Sequence, residues 1–263
     1  MRDAVPIAFV AEKPRCEERF SIRQGASRTI TINSANRLLA TIAEPHSAVS
    51  EQYRKLKSRL VLLTNEDKFR NLLMVTSAMT GEGKSFTAAN LALSMAQEYD
   101  RTVLLVDADL RRPSIHRYLG FEQNIGLSDC LQDGIDIGEA LTKTNFNKLS
   151  VISAGREVAK PLELFASKKM QELMAEIKNR YSDRYVIIDT PPLLPFAETR
   201  SLAHIVDGVV FVIQEGVTTQ ESVIEAMEIL KGCPVLGMVL NNSTAPNTEN
   251  SHYSNYYGRP TAS

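Results

Sequence analysis

From residue 71 onward the chain alternates between two hydrophobic rhythms. Short runs are apolar throughout: NLLMVTS, TVLLVDAD, LSVISA, YVIIDT, GVVFVIQ and PVLGMVLN. Between them lie longer stretches with helical spacing: SFTAANLALSMAQEY, PLELFASKKMQELMAEIKNRY and TTQESVIEAMEILKG. A strand that is apolar at every position, not every second one, is covered on both faces. Alternation of such strands with helices predicts an α/β fold, a mostly parallel sheet with helices on both faces. In folds of this kind ligands bind at the carboxyl ends of the strands.

The two ends of the chain break this rhythm. Residues 1–45 carry scattered charge, Pro6, Pro14 and Pro45, and little periodicity, and are expected to form a mobile arm with a short helix near SANRLLATIA. The chain up to residue 60 is net basic, which suits either a solvated linker or an acidic partner. In SAVSEQYRKLKSRLVLL, residues Val49, Tyr53, Leu56, Leu60 and Leu63 fall on one face of a helix, with Ser47 or Ser50 as its cap. The main domain is expected over 46–242 and a flexible tail over 243–263, reached through the turn-forming STAPNTEN. Three of the chain's 8 tyrosines, Tyr253, Tyr256 and Tyr257, crowd into that polar tail, where no core exists to bury a ring.

Composition narrows the setting. A hydrophobic content of 43% in 263 residues supports an ample core, and a net charge of -1 provides no global field for nucleic acid. Cys16, Cys130 and Cys233 have neither metal-ligand spacing nor an even-numbered framework, as expected of unrelated thiols in a reducing compartment. No secretory signal and no run long enough to span a bilayer is visible. The expected location is cytoplasmic, with any membrane association supplied by another protein.

The first apolar strand runs into a phosphate-binding pattern. Ala78 to Ser85 reads A-x-x-x-x-G-K-S, a P-loop with Ala in place of the usual first Gly. Gly81 and Gly83 allow the backbone to turn its amides inward. Lys84 places a cation at the β- and γ-phosphates, and the Ser85 hydroxyl suits Mg²⁺. Thr80, Glu82 and Phe86 complete the candidate nucleotide-binding stretch. Two further strand ends carry acids: Asp107 and Asp109 in TVLLVDADLRRP, and Asp189 in YVIIDTPP. A carboxylate at a buried strand tip is costly unless a cation meets it. Helix capping explains any one of them; nucleotide-bound Mg²⁺ explains the set.

SAMTGEGKS, VLLVDADLRRPSIH and VIIDTPP together resemble the Walker A, Walker A′ and Walker B motifs of the bacterial tyrosine kinases (BY-kinases) of capsule and exopolysaccharide synthesis. The resemblance covers roughly residues 45–257 and is strongest to the stand-alone cytoplasmic type, the exosortase- or exopolysaccharide-associated autokinases. AKPLELFASKKMQELM is similar to the family's Pro-x-Glu-Leu-Leu segment. EQYRKLKSRL looks like its Glu-x-x-Arg-x-x-Arg oligomerisation helix, here Glu51, Arg54 and Lys57. Lysine in the last position keeps the charge but not the guanidinium fork.

The resemblance implies ATP and Mg²⁺ as cofactors, with Lys84, Asp107 and Asp109 catalytic and Ser85, Asp107 and Asp189 near the metal. Asp107 is the implied general base and Asp109 supports the metal shell, with the two roles exchangeable. Asn241 is the implied adenine contact, and Arg111 and Arg112 are candidates for phosphate or a neighbouring subunit. It further implies a ring-like homo-oligomer that phosphorylates Tyr253, Tyr256 and Tyr257 in trans. The implied partners are a membrane-anchored polysaccharide co-polymerase activator, a cognate tyrosine phosphatase and protein substrates, with no nucleic acid. Two readings compete: a partition- or division-site-like ATPase switch without kinase activity, and a scaffold with a degenerate P-loop. The switch ATPases carry a lysine at the second P-loop position, where this chain has Met79.

Overall fold

The computed structural model describes residues 28–244 apart from 66–68, 98–100, 147 and 181–182. Tyr253, Tyr256, Tyr257 and Cys16 therefore lie outside the described residues, as does the arm over 1–27. One sheet of eight strands organises the rest, in the order β1-β4-β5-β3-β6-β2-β7-β8. Its centre is β3 (Thr102–Asp107), β6 (Arg184–Asp189), β2 (Leu72–Ser77) and β7 (Gly208–Gln214), all parallel. β5 (Leu149–Ile152) continues it on one side and β8 (Val235–Asn241) closes it on the other, both parallel. Among the described residues the one antiparallel pair is β4 (Leu141–Thr144) against β5.

The apolar runs of the central strands have the cause expected of them; that of the edge strand β8 does not, since its Met238 and Leu240 are exposed. Along β2, Leu72 and Met74 point into one core while Leu73 and Val75 point into the other. Val103 and Leu105 of β3 join the second core, and Leu104 and Val106 the first. The first core is covered by α5 (Leu127–Asp133), α6 (Ile137–Ala140), α7 (Pro161–Phe165), α8 (Lys168–Arg180), α9 (Ala197–Ala203) and α10 (Gln220–Ile229). The second is covered by α2 (Ala48–Thr64), α3 (Lys84–Ala96) and α4 (Ile115–Leu119). Ser47 caps α2, its hydroxyl accepting from Ser50 N at 3.2 Å.

The expected arm does not run to residue 45. From Arg28 the chain is packed onto the domain: β1 (Thr29–Ile30) pairs in parallel with β4, and Ile32 and Leu39 are 2% and 0% exposed. Asn90 of α3 takes up backbone groups of this segment, accepting from Thr41 N at 3.2 Å and donating to Leu38 O at 2.9 Å. The short helix is present as α1 (Ala40–Ala43). Single anchors such as Ile32 and Leu39 hold the segment, and single anchors leave no period in the sequence. Among the described residues no helix is long and apolar enough to cross a membrane.

Candidate active site

Strand order brings the chemistry together. β6 lies between β3 and β2, so Asp107 and Asp189 end adjacent strands in direct register. Val75, just before the P-loop, pairs with Asp189 from the other side. The loop leaving β2 wraps back through Thr80 to Gly83 and enters α3 at Lys84. Gly83 begins that helix at φ 91°, a left-handed conformation that disfavours side chains. A Cβ there would meet Asn241 Nδ2 at 2.0 Å, so glycine is required on two grounds.

Lys84 reaches across this junction. Its Nζ lies 2.7 Å from Asp109 Oδ2, 3.9 Å from Asp189 Oδ1 and 3.2 Å from Ser85 Oγ. Burial works against its charge, but Asp189, Asp109 and Asp107 outweigh it and its pKa is raised. Asp107 is fully buried and accepts backbone amides: Oδ1 from Asp109 N at 3.2 Å, Oδ2 from Ser114 N and Ile115 N, each at 3.0 Å. Burial, reinforced by the charge of Asp189, raises its proton affinity well above the ordinary carboxylate range. The amides only partly offset this.

Asp189 is different. Both its oxygens are buried without a partner in hydrogen-bond geometry. Burial raises its pKa as well, against the pull of the Lys84 ammonium and the Ser85 hydroxyl nearby. A buried carboxylate without a hydrogen-bond donor costs about 1–3 kcal/mol, eased here by the Lys84 ammonium 3.9 Å away. An orphaned pair of hard oxygen donors beside a serine hydroxyl is the donor set of a divalent cation. The residues present therefore fit Mg²⁺, with Ser85 and Asp189 as its holders.

The cleft over this junction encloses about 250 Å³ and is lined by Thr80, Gly81, Gly83, Lys84, Ser85 and Asp109 on the P-loop side. Three expected residues are not part of that lining, although Asn241 adjoins it at Gly83. Glu82 is 0% exposed and turned inward: its Oε2 accepts Met79 N at 2.8 Å and its Oε1 accepts the Thr218 hydroxyl. Phe86 packs edge-on against Tyr53 of α2, ring centroids 6.2 Å apart, so its side chain serves the helix contact and not the cleft. Asn241 stands at the end of β8 with its amide donating to Glu82 O at 3.0 Å. Of the oligomerisation residues, Glu51 and Arg54 pair within α2 at 2.6 Å, and Lys57 follows one turn on.

Sequence reasoning missed the inner support of the loop. Thr218, which also accepts Gln214 N at 2.9 Å, ties the P-loop to the turn after β7 through Glu82. It missed Glu198 too, a 1% exposed acid that holds the Arg111 guanidinium, which in turn lies 4.5 Å over the Phe196 ring. Neither partner stands in a recognisable motif, although an acid so close after Asp189 is a visible signal.

A family model described as NUBPL iron-transfer P-loop NTPase, of the ParA type, matches residues 68–263. The tyrosine-protein kinase YwqD of Bacillus subtilis (strain 168) is 38% identical over 224 residues, 84% of this chain and 92% of that protein. The chain belongs to the bacterial tyrosine kinase family. Among solved structures, the kinase domain of the Escherichia coli tyrosine kinase ETK superposes with a TM-score of 0.73 at 28% identity, covering 80% of this chain and 82% of that one. The septum site-determining protein MinD of Pyrococcus horikoshii, complexed with Mg-ADP, shares the fold at 22% identity and a TM-score of 0.57, covering 72% of this chain and 78% of that one. This BY-kinase thus has the doubly covered, mostly parallel P-loop NTPase sheet that its hydrophobic rhythm implies.

Proposed function

We propose that this protein is an ATP-dependent protein-tyrosine kinase. It phosphorylates the Tyr253, Tyr256 and Tyr257 cluster of a neighbouring subunit and thereby regulates exopolysaccharide or capsule synthesis or export. The observation that carries the reading is the convergence of Lys84, Ser85 and the strand-end acids Asp107, Asp109 and Asp189 on one junction, with the Asp189 oxygens orphaned. Met79 is 45% exposed at the position where a switch ATPase presents lysine, which favours the kinase over the switch.

A tyrosine hydroxyl, with a pKa near 10, needs positioning, charge neutralisation and a nearby proton acceptor. Mg²⁺ held by Ser85 and Asp189, with Asp107 near it, supplies charge neutralisation on the phosphates when bound. Lys84, oriented by Asp109, faces the bridging and terminal phosphate oxygens, while Thr80, Gly81 and Gly83 present the loop to them. By resemblance, Asp107 takes the hydroxyl proton, in a role exchangeable with Asp109, as the tyrosine oxygen bonds to the γ-phosphorus and ADP leaves. Asn241 and the adjoining loop border the adenine. Glu51, Arg54 and Lys57 of α2 contribute to a ring-like homo-oligomer. A membrane-anchored co-polymerase recruits and activates this otherwise cytoplasmic kinase at the inner face of the membrane, and a cognate phosphatase reverses the modification.

Incubation of the purified protein with Mg-ATP, followed by phosphosite mapping by mass spectrometry, tests this reading against Lys84→Met as control. Phosphate on the tail tyrosines that vanishes in the variant is the expected result. ADP release without phosphotyrosine would select the ATPase switch, and absence of nucleotide binding the scaffold.

A further inference from the structure

Four cations line the cleft: Lys84, Arg111, Arg112 and Arg117. Two are matched. Lys84 is held by Asp109, and Arg111 by Glu198. Among the described residues, neither the Arg112 nor the Arg117 guanidinium has a carboxylate partner, and the one hydrogen bond seen is from Arg117 Nη2 to Pro113 O at 3.3 Å. Both side chains are exposed. The same cleft lining includes Pro192, Tyr118 and Phe196, the last lying under the Arg111 guanidinium. Guanidinium forks without carboxylate partners, in a lining that also holds aromatic side chains, suit an aromatic phosphate monoester.

We propose that Arg112 and Arg117 form a phosphotyrosine subsite, which grips an already modified tail tyrosine while the next one occupies the acceptor position. The inference rests on the tyrosine-kinase reading. Geometry permits it. Arg112 N lies 3.0 Å from Asp109 Oδ1, and the other oxygen of that carboxylate holds Lys84, so the arginine is rooted at the transfer site itself. Tyr256 follows Tyr253 by three positions, a span of at most about 10 Å in an extended chain. One tail can therefore place one tyrosine at the acceptor position and another on the rim.

Charge makes the subsite selective. Around the cluster the only acid is Glu249, set against Arg259, so the unmodified tail brings almost nothing to the arginines. Each phosphate adds about -1.5 to -2 charges and three strong acceptor oxygens. The first transfer is then the slow one, and the cluster fills in bursts.

The test uses the full-length Tyr253→Phe/Tyr256→Phe/Tyr257→Phe protein, so that its own tail carries no acceptor. A fluorescent peptide of residues 248–260 is added, either unmodified or phosphorylated on Tyr257. Anisotropy in Mg-ADP measures binding, and transfer from Mg-ATP measures reaction. The phosphopeptide is expected to bind about tenfold more tightly than the unmodified peptide. That preference should fall to within about twofold once Arg112→Gln and Arg117→Gln are added, and Arg112→Lys with Arg117→Lys should restore part of it. The proposal is overturned if there is no preference, if the preference survives both Gln substitutions, or if they weaken Mg-ADP binding by the same factor. In the last case the arginines serve nucleotide phosphate. Arginine-dependent phosphopeptide binding without transfer to either peptide would keep the subsite and remove the kinase reading.

Discussion

Helices α2 and α3 lie against one another on the same side of the sheet, yet they are used in opposite ways. Nearly every residue of α3 from Lys84 to Met95 is buried, polar ones included. Asn90, fully enclosed, is satisfied by Leu38 and Thr41, and Lys84 by Asp109. Along α2 only Ser50, Tyr53, Leu60 and Thr64 are buried, while Val49 and Leu62 are 46% and 62% exposed. One helix is fully spoken for by its own domain. The other holds on by a few anchors and leaves apolar and charged surface open, as a subunit contact requires. Under the proposed function, chemistry and subunit contact fall to different helices, which meet at Tyr53 and Phe86.

Changes at the start of α3 should be the most severe. Lys84→Met is expected to lower phosphotransfer at least a hundredfold, roughly the worth of one preorganised charge in a transition state, with the circular dichroism spectrum unchanged. Asp189→Asn sharpens the contrast between stability and function. Replacing an orphaned buried carboxylate by a neutral amide should stabilise the nucleotide-free protein by about 1 kcal/mol in a urea melt. The same variant should lose the rise in melting temperature that Mg-ADP brings to the parent.

Between the helices, Tyr53→Ala should cost about 3 kcal/mol of stability, because it empties the site where α2 docks on α3. Nucleotide affinity, measured by calorimetry on the folded protein, should stay within about twofold if the two helices are as separate in function as they are in burial. On the open face of α2 the effect should be smallest in the monomer. Arg54→Ala removes a half-exposed pair with Glu51 and should change stability by no more than about 0.5 kcal/mol. It should nonetheless shift sedimentation toward smaller species. An unchanged distribution would mean that α2 is not the subunit contact.

Much of this arrangement is legible in the sequence, and unevenly so. The six apolar runs are all strands; in the central ones burial on both faces writes itself into every position, as in Leu72 to Val75, whereas the edge strand β8 leaves Met238 and Leu240 50% and 54% exposed. The P-loop and the three aspartates are legible for a related reason: few other uses exist for a buried lysine opening α3 beside Asp107 and Asp189 at buried strand ends. Strand β4 and the packed segment from Arg28 are not legible, since strands of four and two residues have no room for a pattern. Long loops hide the supports. Thr218 holds the P-loop through Glu82 across 136 positions, and Glu198 reaches Arg111 across 87. The direction of the Glu82 side chain is also invisible, because a P-loop residue reads as a ligand contact until its burial is known.

The central claim, transfer of phosphate from one subunit to the tail of another, is tested most directly by mixing two inactive halves. A Lys84→Met chain keeps its tyrosines but cannot transfer. A Tyr253→Phe/Tyr256→Phe/Tyr257→Phe chain can transfer but offers no tail acceptor. Incubated together with Mg-ATP, the mixture should yield phosphotyrosine at Tyr253, Tyr256 or Tyr257 of the Lys84→Met chain, read by mass spectrometry. Absence of phosphate there, while the unsubstituted protein labels its own tail, would contradict transfer between subunits.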